Sequence, residues 1–172
     1  MISEDFTLIT STESDAVQRA QEIIRQNREY TLFSWSVQGG CNPLPITRAK
    51  GTCFWTADDK RYIDYCSQLM NVNIGHGHPK VIEAIKKQAE ELAFVYPGAA
   101  TVARGEAAEK LAEITPGELK KVFFTLGGAD ANENAMKMAR LVTGRQKVMS
   151  RYRSYHGGTF GAMSAGGDPR RL

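Results

Sequence analysis

Gly127-Gly128 stands between an apolar run and a helical pattern, and here the chain is best equipped for chemistry. Val122, Phe123 and Phe124 form a compact β-leaning run before the glycines. Ala131, Ala135, Met138, Ala139 and Val142 then recur at helical spacing up to Thr143-Gly144. A glycine turn that opens a helix lets the first backbone N–H groups converge on one point, where the helix dipole adds partial positive charge. Such a turn suits a phosphate, with the N–H groups of Gly128 and Ala129 as donors. The same pattern also serves merely to turn a strand into a helix. Asp130 and Glu133 fall in the first helical turn, where carboxylates offset the dipole, and helix capping is the simpler reading for Glu133.

Two further segments carry polar side chains in glycine-rich loops. One is Asn71-Val72-Asn73-Ile74-Gly75-His76-Gly77-His78-Pro79-Lys80-Val81, and the other is Ser154-Tyr155-His156-Gly157-Gly158-Thr159-Phe160-Gly161-Ala162. His76 and His78 share one loop, which invites a metal reading. The chain has three histidines in all, and no cysteine or carboxylate stands at matching spacing, so turn and packing roles are expected and no metal. Tyr155 offers a flat apolar body with a polar tip, which suits a ligand wall as well as ordinary half-buried packing.

Taken together, in this order and spacing, the three motifs resemble the class III (omega-type) aminotransferases, which use pyridoxal 5'-phosphate. The likeness runs from about Tyr30 to Leu172, and Leu126 to Arg140 and Arg151 to Pro169 are most similar to the pyruvate-using branch with the taurine–pyruvate aminotransferases. The resemblance implies cofactor binding by Gly128, Ala129, Tyr155, His156 and Asp130. Tyr155 would stack on the pyridine ring, His156 would pack or hydrogen-bond its turn, and Asp130 matches a family acid near the cofactor. Phe33, Trp35 and Met70 match substrate-pocket positions; Met70 stands where some amine transaminases carry tryptophan, and Gly98 replaces a bulky residue. One departure matters. The family places hydroxyl residues around the phosphate turn, whereas this chain has Leu126, Gly127, Gly128 and Ala129. Each charge-assisted hydrogen bond so lost would cost about 1.5–3 kcal/mol if unreplaced.

The resemblance further implies transfer of an amino group from an amine or omega-amino acid to an oxo acid such as pyruvate. Family members are more than twice as long as this chain, and their Schiff-base lysine and pyridine-nitrogen aspartate lie beyond its end. No catalytic residue is therefore expected here: the chain reads as an N-terminal fragment, inactive alone. The alternatives are a non-catalytic remnant or partner subunit, or an aminomutase on the same scaffold. A homodimer with the active site at the subunit boundary is implied for the full-length form, in keeping with the irregular stretches 30–42 and 70–78.

The expected fold class is α/β: the N-terminal portion of a fold type I pyridoxal-phosphate transferase. Residues 1–66 would supply a helix and small-domain strands, and 67–172 the opening strands and helices of the large parallel-sheet domain. Thr12-Glu13-Ser14-Asp15 looks like a capped start, with Val17, Ala20 and Ile24 as a stripe up to about Arg28. Ile46–Arg48, Thr52–Thr56 and Arg61–Asp64 read as short strands, the last two joined by Ala57-Asp58-Asp59-Lys60, where the family often has glycine in place of Lys60. Pro79 opens a helix with Val81, Ala84, Ile85, Gln88 and Leu92 on one face. Another runs from Thr101 or Arg104 to Ile114 before Pro116-Gly117. Lys147-Val148-Met149 reads as a strand that would lie parallel to Val122–Phe124 across the intervening helix, leaving apolar faces to be covered from elsewhere.

Net charge is +3 over 172 residues with no block of like charge, which argues against nucleic acid, and no apolar run approaches membrane-spanning length. The polar N-terminus lacks a signal-peptide pattern. Cys41, Cys53 and Cys66 lack paired spacing, so free thiols and a cytoplasmic location are expected.

Overall fold

The computed structural model describes residues 13–167 and residue 169. They fall into two compact units, one up to Val95 and one from Tyr96 onward. The N-terminal unit opens with α1 (Glu13–Tyr30), followed by β1 (Ile46–Lys50), β2 (Cys53–Thr56), β3 (Arg61–Ile63), the single turn α2 (Ser67–Met70) and α3 (Pro79–Glu91). The capping role expected of Thr12 lies outside the described residues.

The three strands form one antiparallel sheet in the order β1-β2-β3, as two hairpins require. Gly51 turns the first hairpin at φ 58°, and a bulge between Ile46 and Arg48 shifts the register of β1 on β2. In the second, the left-handed position falls on Asp59 (φ 61°), a residue type that tolerates it, so Lys60 need not be glycine. Asp59 pairs with Arg48, whose guanidinium also lies 4.2 Å from the Trp55 ring centroid. Phe54 is buried and stacks on Tyr62 at 5.3 Å, while the buried Thr56 hydroxyl donates to Asp58 Oδ1 at 2.5 Å.

Asp64, just past β3, organises the segment from Cys66 to His76. Its Oδ2 lies 2.7 Å from His76 Nε2 and accepts from Gln68 Nε2 at 3.2 Å; its Oδ1 accepts from Gln68 N–H at 3.3 Å. Ser67, Gln68, Leu69 and Met70 all have φ between 48° and 64°, so α2 is a left-handed turn without a single glycine. Left-handed backbone costs about 1–2 kcal/mol per ordinary residue, and the Asp64 bonds offset part of that. His76 is also paired through its backbone with Gly51, N–H to O at 2.8 Å and 3.0 Å. Pro79 begins α3 at its first turn, as expected, and every α3 residue is exposed.

The C-terminal unit comprises α4 (Val102–Ile114), α5 (Gly128–Thr143) and α6 (Phe160–Ala165). Thr101 caps α4 by accepting from Arg104 N–H, and Gly144 ends α5 at φ 68°. Val122–Phe124 and Lys147–Met149 do not form the expected strands; both stretches are irregular and carry no ladder among the described residues. A parallel ladder needs a neighbour on the sheet and cover on both faces, and here Phe123 and Met149 are largely exposed.

The Asp64 carboxyl is only 3% exposed. Burial raises its pKa, but the His76 hydrogen bond and those of Gln68 outweigh it and hold the value at about 2, below the ordinary 3.8. Since the folded-state value lies below the unfolded one, the carboxylate stabilises the unit above pH 3.8, and that contribution disappears as pH falls through about 2. Amide exchange at Gly51 and His76 should therefore stay slow from neutral pH down to about 3.8, after correction for the intrinsic rate, and accelerate below it. Asp64→Asn should show the fast rate already at neutral pH; unchanged protection in that variant would refute the assignment.

Candidate functional site

The candidate site is built on the first turn of α5. Gly127 is extended (φ 178°, ψ 176°), and the first bond of the helix runs from Ala131 N–H to Gly127 O at 3.0 Å. The N–H groups of Gly128, Ala129 and Asp130 precede that bond, so the helix offers them no partner. A Cβ added at Gly127 or Gly128 would meet no atom within 4 Å, so space is free beside these two residues, while Ala129 and Asp130 are half-buried. Sixteen residues of aligned peptides stand behind them.

Asp130 turns back on its own segment. Its Oδ2 accepts from Leu126 N–H at 3.3 Å and its Oδ1 from Asn134 Nδ2 at 3.0 Å, which fixes the turn before the helix. Thr125 Oγ1 donates to Gly127 O at 3.3 Å, a nearby hydroxyl outside the expected set of site residues.

The loop carrying Tyr155 and His156 lies against this turn. Gly157 is buried at φ 136°, and a Cβ there would fall 2.6 Å from Ala129 Cα. Asn132 Nδ2 donates to His156 O at 2.6 Å. Glu133 Oε1 accepts three bonds from beyond the loop: Thr159 Oγ1 at 2.6 Å, Gly161 N–H at 2.8 Å and Ala162 N–H at 3.0 Å. Glu133 is thus a cap, but for the start of α6 rather than its own helix. The Thr159 hydroxyl, then the Ala162 amide, hold its pKa below the ordinary carboxylate value against the burial that raises it. Neither Asn132 nor this use of Glu133 was expected; the signal available was an amide and a carboxylate on the helix face that also carries Ala129.

His156 Nε2 lies 3.0 Å from Ser154 Oγ and 3.2 Å from Ser150 Oγ, which sets its ring. The ring also lines a cavity of about 160 Å³ with Asn132, Met136 and Val148, whose wall does not include the start of α5. Tyr155 is 50% exposed, with its hydroxyl near Gly158. The structure therefore brings Gly128, Ala129, Asp130, Tyr155 and His156 into one neighbourhood.

The pocket candidates belong to the N-terminal unit. Phe33 is half-buried and clipped by Gln38, which receives its N–H at 3.0 Å and donates to its carbonyl at 2.6 Å. Trp35 and Met70 are exposed at φ 61° and 64°. Bulky residues in left-handed backbone are outliers of the kind that cluster at ligand sites. His76 is held by Asp64, and among the described residues no three metal-ligating side chains converge. Cys41, Cys53 and Cys66 are free thiols, and no helix among the described residues is long and apolar enough to cross a membrane.

Pyridoxal phosphate can be set against this geometry. Open space beside Gly127 and Gly128, at a long helix's start whose first N–H groups the helix leaves unpartnered, fits a phosphate, and a half-exposed tyrosine on the adjoining loop fits a ring face. The anchor has no side-chain hydroxyl at residues 126–129, so its donors are backbone groups.

Comparisons with known proteins bear on the whole arrangement. The sequence model of the aminotransferase class III family matches residues 35–171. A leucine/methionine racemase from Thermococcus litoralis is 39% identical over 150 residues, 87% of this chain and 33% of that relative. An acetylornithine aminotransferase from Methanosarcina acetivorans is 36% identical over 150 residues, covering 87% of this chain and 36% of its own length. Among solved structures, a taurine:2-oxoglutarate aminotransferase from Bifidobacterium kashiwanohense, in complex with PLP and glutamate, superposes with a TM-score of 0.84 at 46% identity. That match covers 88% of this chain and 34% of the other. The chain spans about a third of the length of the relatives it matches.

Two glycine substitutions separate backbone from side-chain constraint. Gly157→Ala should destabilise the C-terminal unit by roughly 1–3 kcal/mol for the clash with Ala129 and by a similar amount for its backbone angle. Gly161→Ala adds no backbone-angle cost and meets the Glu133 carboxylate end, 2.9 Å from Cδ, so its loss is confined to disturbing that clasp and should be smaller. Urea titrations followed by circular dichroism give both values, and equal losses would contradict the geometry.

Proposed function

The chain belongs to the class III aminotransferase family, and from that membership we propose that it carries the phosphate and ring-face part of a pyridoxal-phosphate-dependent transaminase. The whole protein moves an amino group from an amine or omega-amino acid to an oxo acid, pyruvate or 2-oxoglutarate. The observation that carries the reading is the start of α5, where the helix leaves its first N–H groups unpartnered, space is free beside Gly127 and Gly128, and the Tyr155 loop lies against Ala129.

In this reading Gly128 and Ala129 hold the phosphate through backbone N–H groups aligned with the helix dipole. Tyr155 lies along one face of the cofactor ring and keeps water from it. His156, fixed by Ser150 and Ser154, holds the end of that loop in place. Asp130 shapes the turn by capping Leu126 N–H. Phe33, Trp35 and Met70 are pocket walls for the amino donor. When bound, the cofactor would supply an electrophilic carbon and an electron sink for the electron pair that the departing proton leaves on carbon. No lysine is among the site residues named here, so moving the proton falls to another group of the whole protein, which works as a cytoplasmic homodimer.

A second reading has a specific support, since one similar relative is a racemase. Racemisation or internal amino migration would use the same anchor and leave the amino group on the original carbon skeleton. Labelled amino nitrogen appearing in alanine or glutamate distinguishes transfer from both.

Two measurements test the proposal. Proline is favoured at the first helical position, so Gly128→Pro keeps α5 and deletes one donor. Binding of pyridoxine phosphate, which has no aldehyde to react with lysines, should weaken by about 1.5–3 kcal/mol, tenfold or more. Unchanged affinity would remove Gly128 from the anchor. The 172-residue chain mixed with pyridoxal phosphate, an amine donor and pyruvate should yield background alanine only. Turnover of roughly 1–10³ per second would show that this chain holds the proton-moving group after all.

A further inference from the structure

Ala129, Asn132 and Glu133 stand at i, i+3 and i+4 on α5, and each touches the segment that follows Tyr155. Ala129 receives the bare Cα of Gly157. Asn132 takes the carbonyl of His156 at 2.6 Å. Glu133 binds Thr159, Gly161 and Ala162 through one carboxylate oxygen. The three grips lie one behind the other, beginning at the turn whose amides face open space.

We propose that Asn132 and Glu133 are positioning residues that hold the Tyr155 loop at a fixed distance from the Gly128 and Ala129 amides, so that a general anion site becomes selective for a phosphate ester bearing an aromatic ring. The proposal rests on the anchor reading above and adds the element that sets its selectivity. Helix amides alone bind inorganic phosphate and phosphate esters alike. Discrimination needs a second surface at a set spacing, and Tyr155, next to the gripped His156 carbonyl, offers one; Phe160, the other aromatic of the segment, begins α6 and is 92% exposed. A loop held only by the Gly157 contact could slide, because one van der Waals contact contributes little. Charge-assisted bonds to Glu133 and the short bond from Asn132 fix the loop on both sides of Gly157. Gly161 is glycine where a Cβ would fall 2.9 Å from Glu133 Cδ, so the backbone leaves room for that carboxylate.

The test uses the 172-residue chain and two probes, inorganic phosphate and pyridoxine phosphate, followed by the amide signals of Gly128 and Ala129 and the ring signals of Tyr155. In the unaltered chain both probes should shift the two amides. Pyridoxine phosphate should bind about tenfold tighter, the worth of one aromatic contact, and shift Tyr155 as well. Asn132→Ala and Glu133→Gln should each keep the phosphate response, lose most of the tenfold preference, and weaken the nuclear Overhauser contact between the Ala129 methyl and Gly157. Thr159→Ala, which deletes one donor to Glu133, should show a smaller loss and serves if a stronger variant does not fold. Preference retained in variants whose Ala129–Gly157 contact is lost would overturn the proposal, and so would a contact that persists unchanged in all three. Equal affinity for the two probes in the unaltered chain would leave the anchor standing and remove the positioning role. A chain whose amides answer to neither probe would overturn both.

Discussion

The approach of Gly157 to the first turn of α5 is the constraint on which the C-terminal unit depends. A bare Cα lying on Ala129 requires a residue without Cβ, and φ 136° requires the same residue for a second reason. Two demands met by one glycine place the loop close enough for Asn132 and Glu133 to reach it. The bond from Thr159 to Glu133 spans 26 residues of sequence, and the one from Asn132 to His156 spans 24. Those bonds are what turn a helix, a loop and the six-residue α6 into one body. The amides at the start of α5 stay open because Asp130 caps Leu126 and Glu133 caps α6, so neither carboxylate covers the helix's own first N–H groups.

The N-terminal unit meets a similar demand with a charge. Asp64 sits nearly buried, and every bond its carboxylate accepts comes from the segment 66–76. Without those bonds four successive ordinary residues would relax out of the left-handed region. The carboxylate therefore decides where Met70 stands, although its own bonds go to Cys66, Gln68 and His76. Trp35 reaches the same unusual backbone region by another route, in a loop clipped by Gln38. Strained positions supported by neighbouring polar side chains are how a fold keeps bulky groups pointed away from their own packing minima.

Local signals were legible in the sequence, and non-local ones were not. Pro79, Thr101 and Gly144 mark helix ends through chemistry confined to one turn, and the helices begin or end beside them. The two hairpins follow from short apolar runs separated by turn residues. Val122–Phe124 and Lys147–Met149 have the composition of strands, yet a strand exists only with a partner to receive its bonds, and composition carries no information on that. Glu133 looked like an ordinary first-turn carboxylate because its true partners lie in the next motif. The left-handed turn at Ser67–Met70 was invisible for the opposite reason: no glycine announces it, and its support comes from Asp64 and His76. The phosphate turn is legible from its glycines and its helix, while the nearby Thr125 hydroxyl, one residue before Leu126, carries no local signal of its bond to Gly127.

What the site residues can decide about chemistry is bounded by who shares them. A racemase and an acetylornithine aminotransferase each align with 87% of this chain at similar identity, though the outcomes named for them differ. Residues common to both cannot be what selects between returning a group and passing it on. The part of the scaffold present here must serve what the two reactions have in common. In the proposed reading that task is holding an anion and a flat ring in fixed relation, through backbone amides, a glycine contact and a clasp of two polar side chains. Selection among outcomes then falls to groups that face the reacting carbon from elsewhere. In the proposed function Phe33, Trp35 and Met70 are the candidates for that role, and Trp35 and Met70 stand in left-handed backbone. On that proposed reading, changes to these three residues alter which amine is accepted while the anchor, built by local contacts within about one helix and one loop, stays as it is.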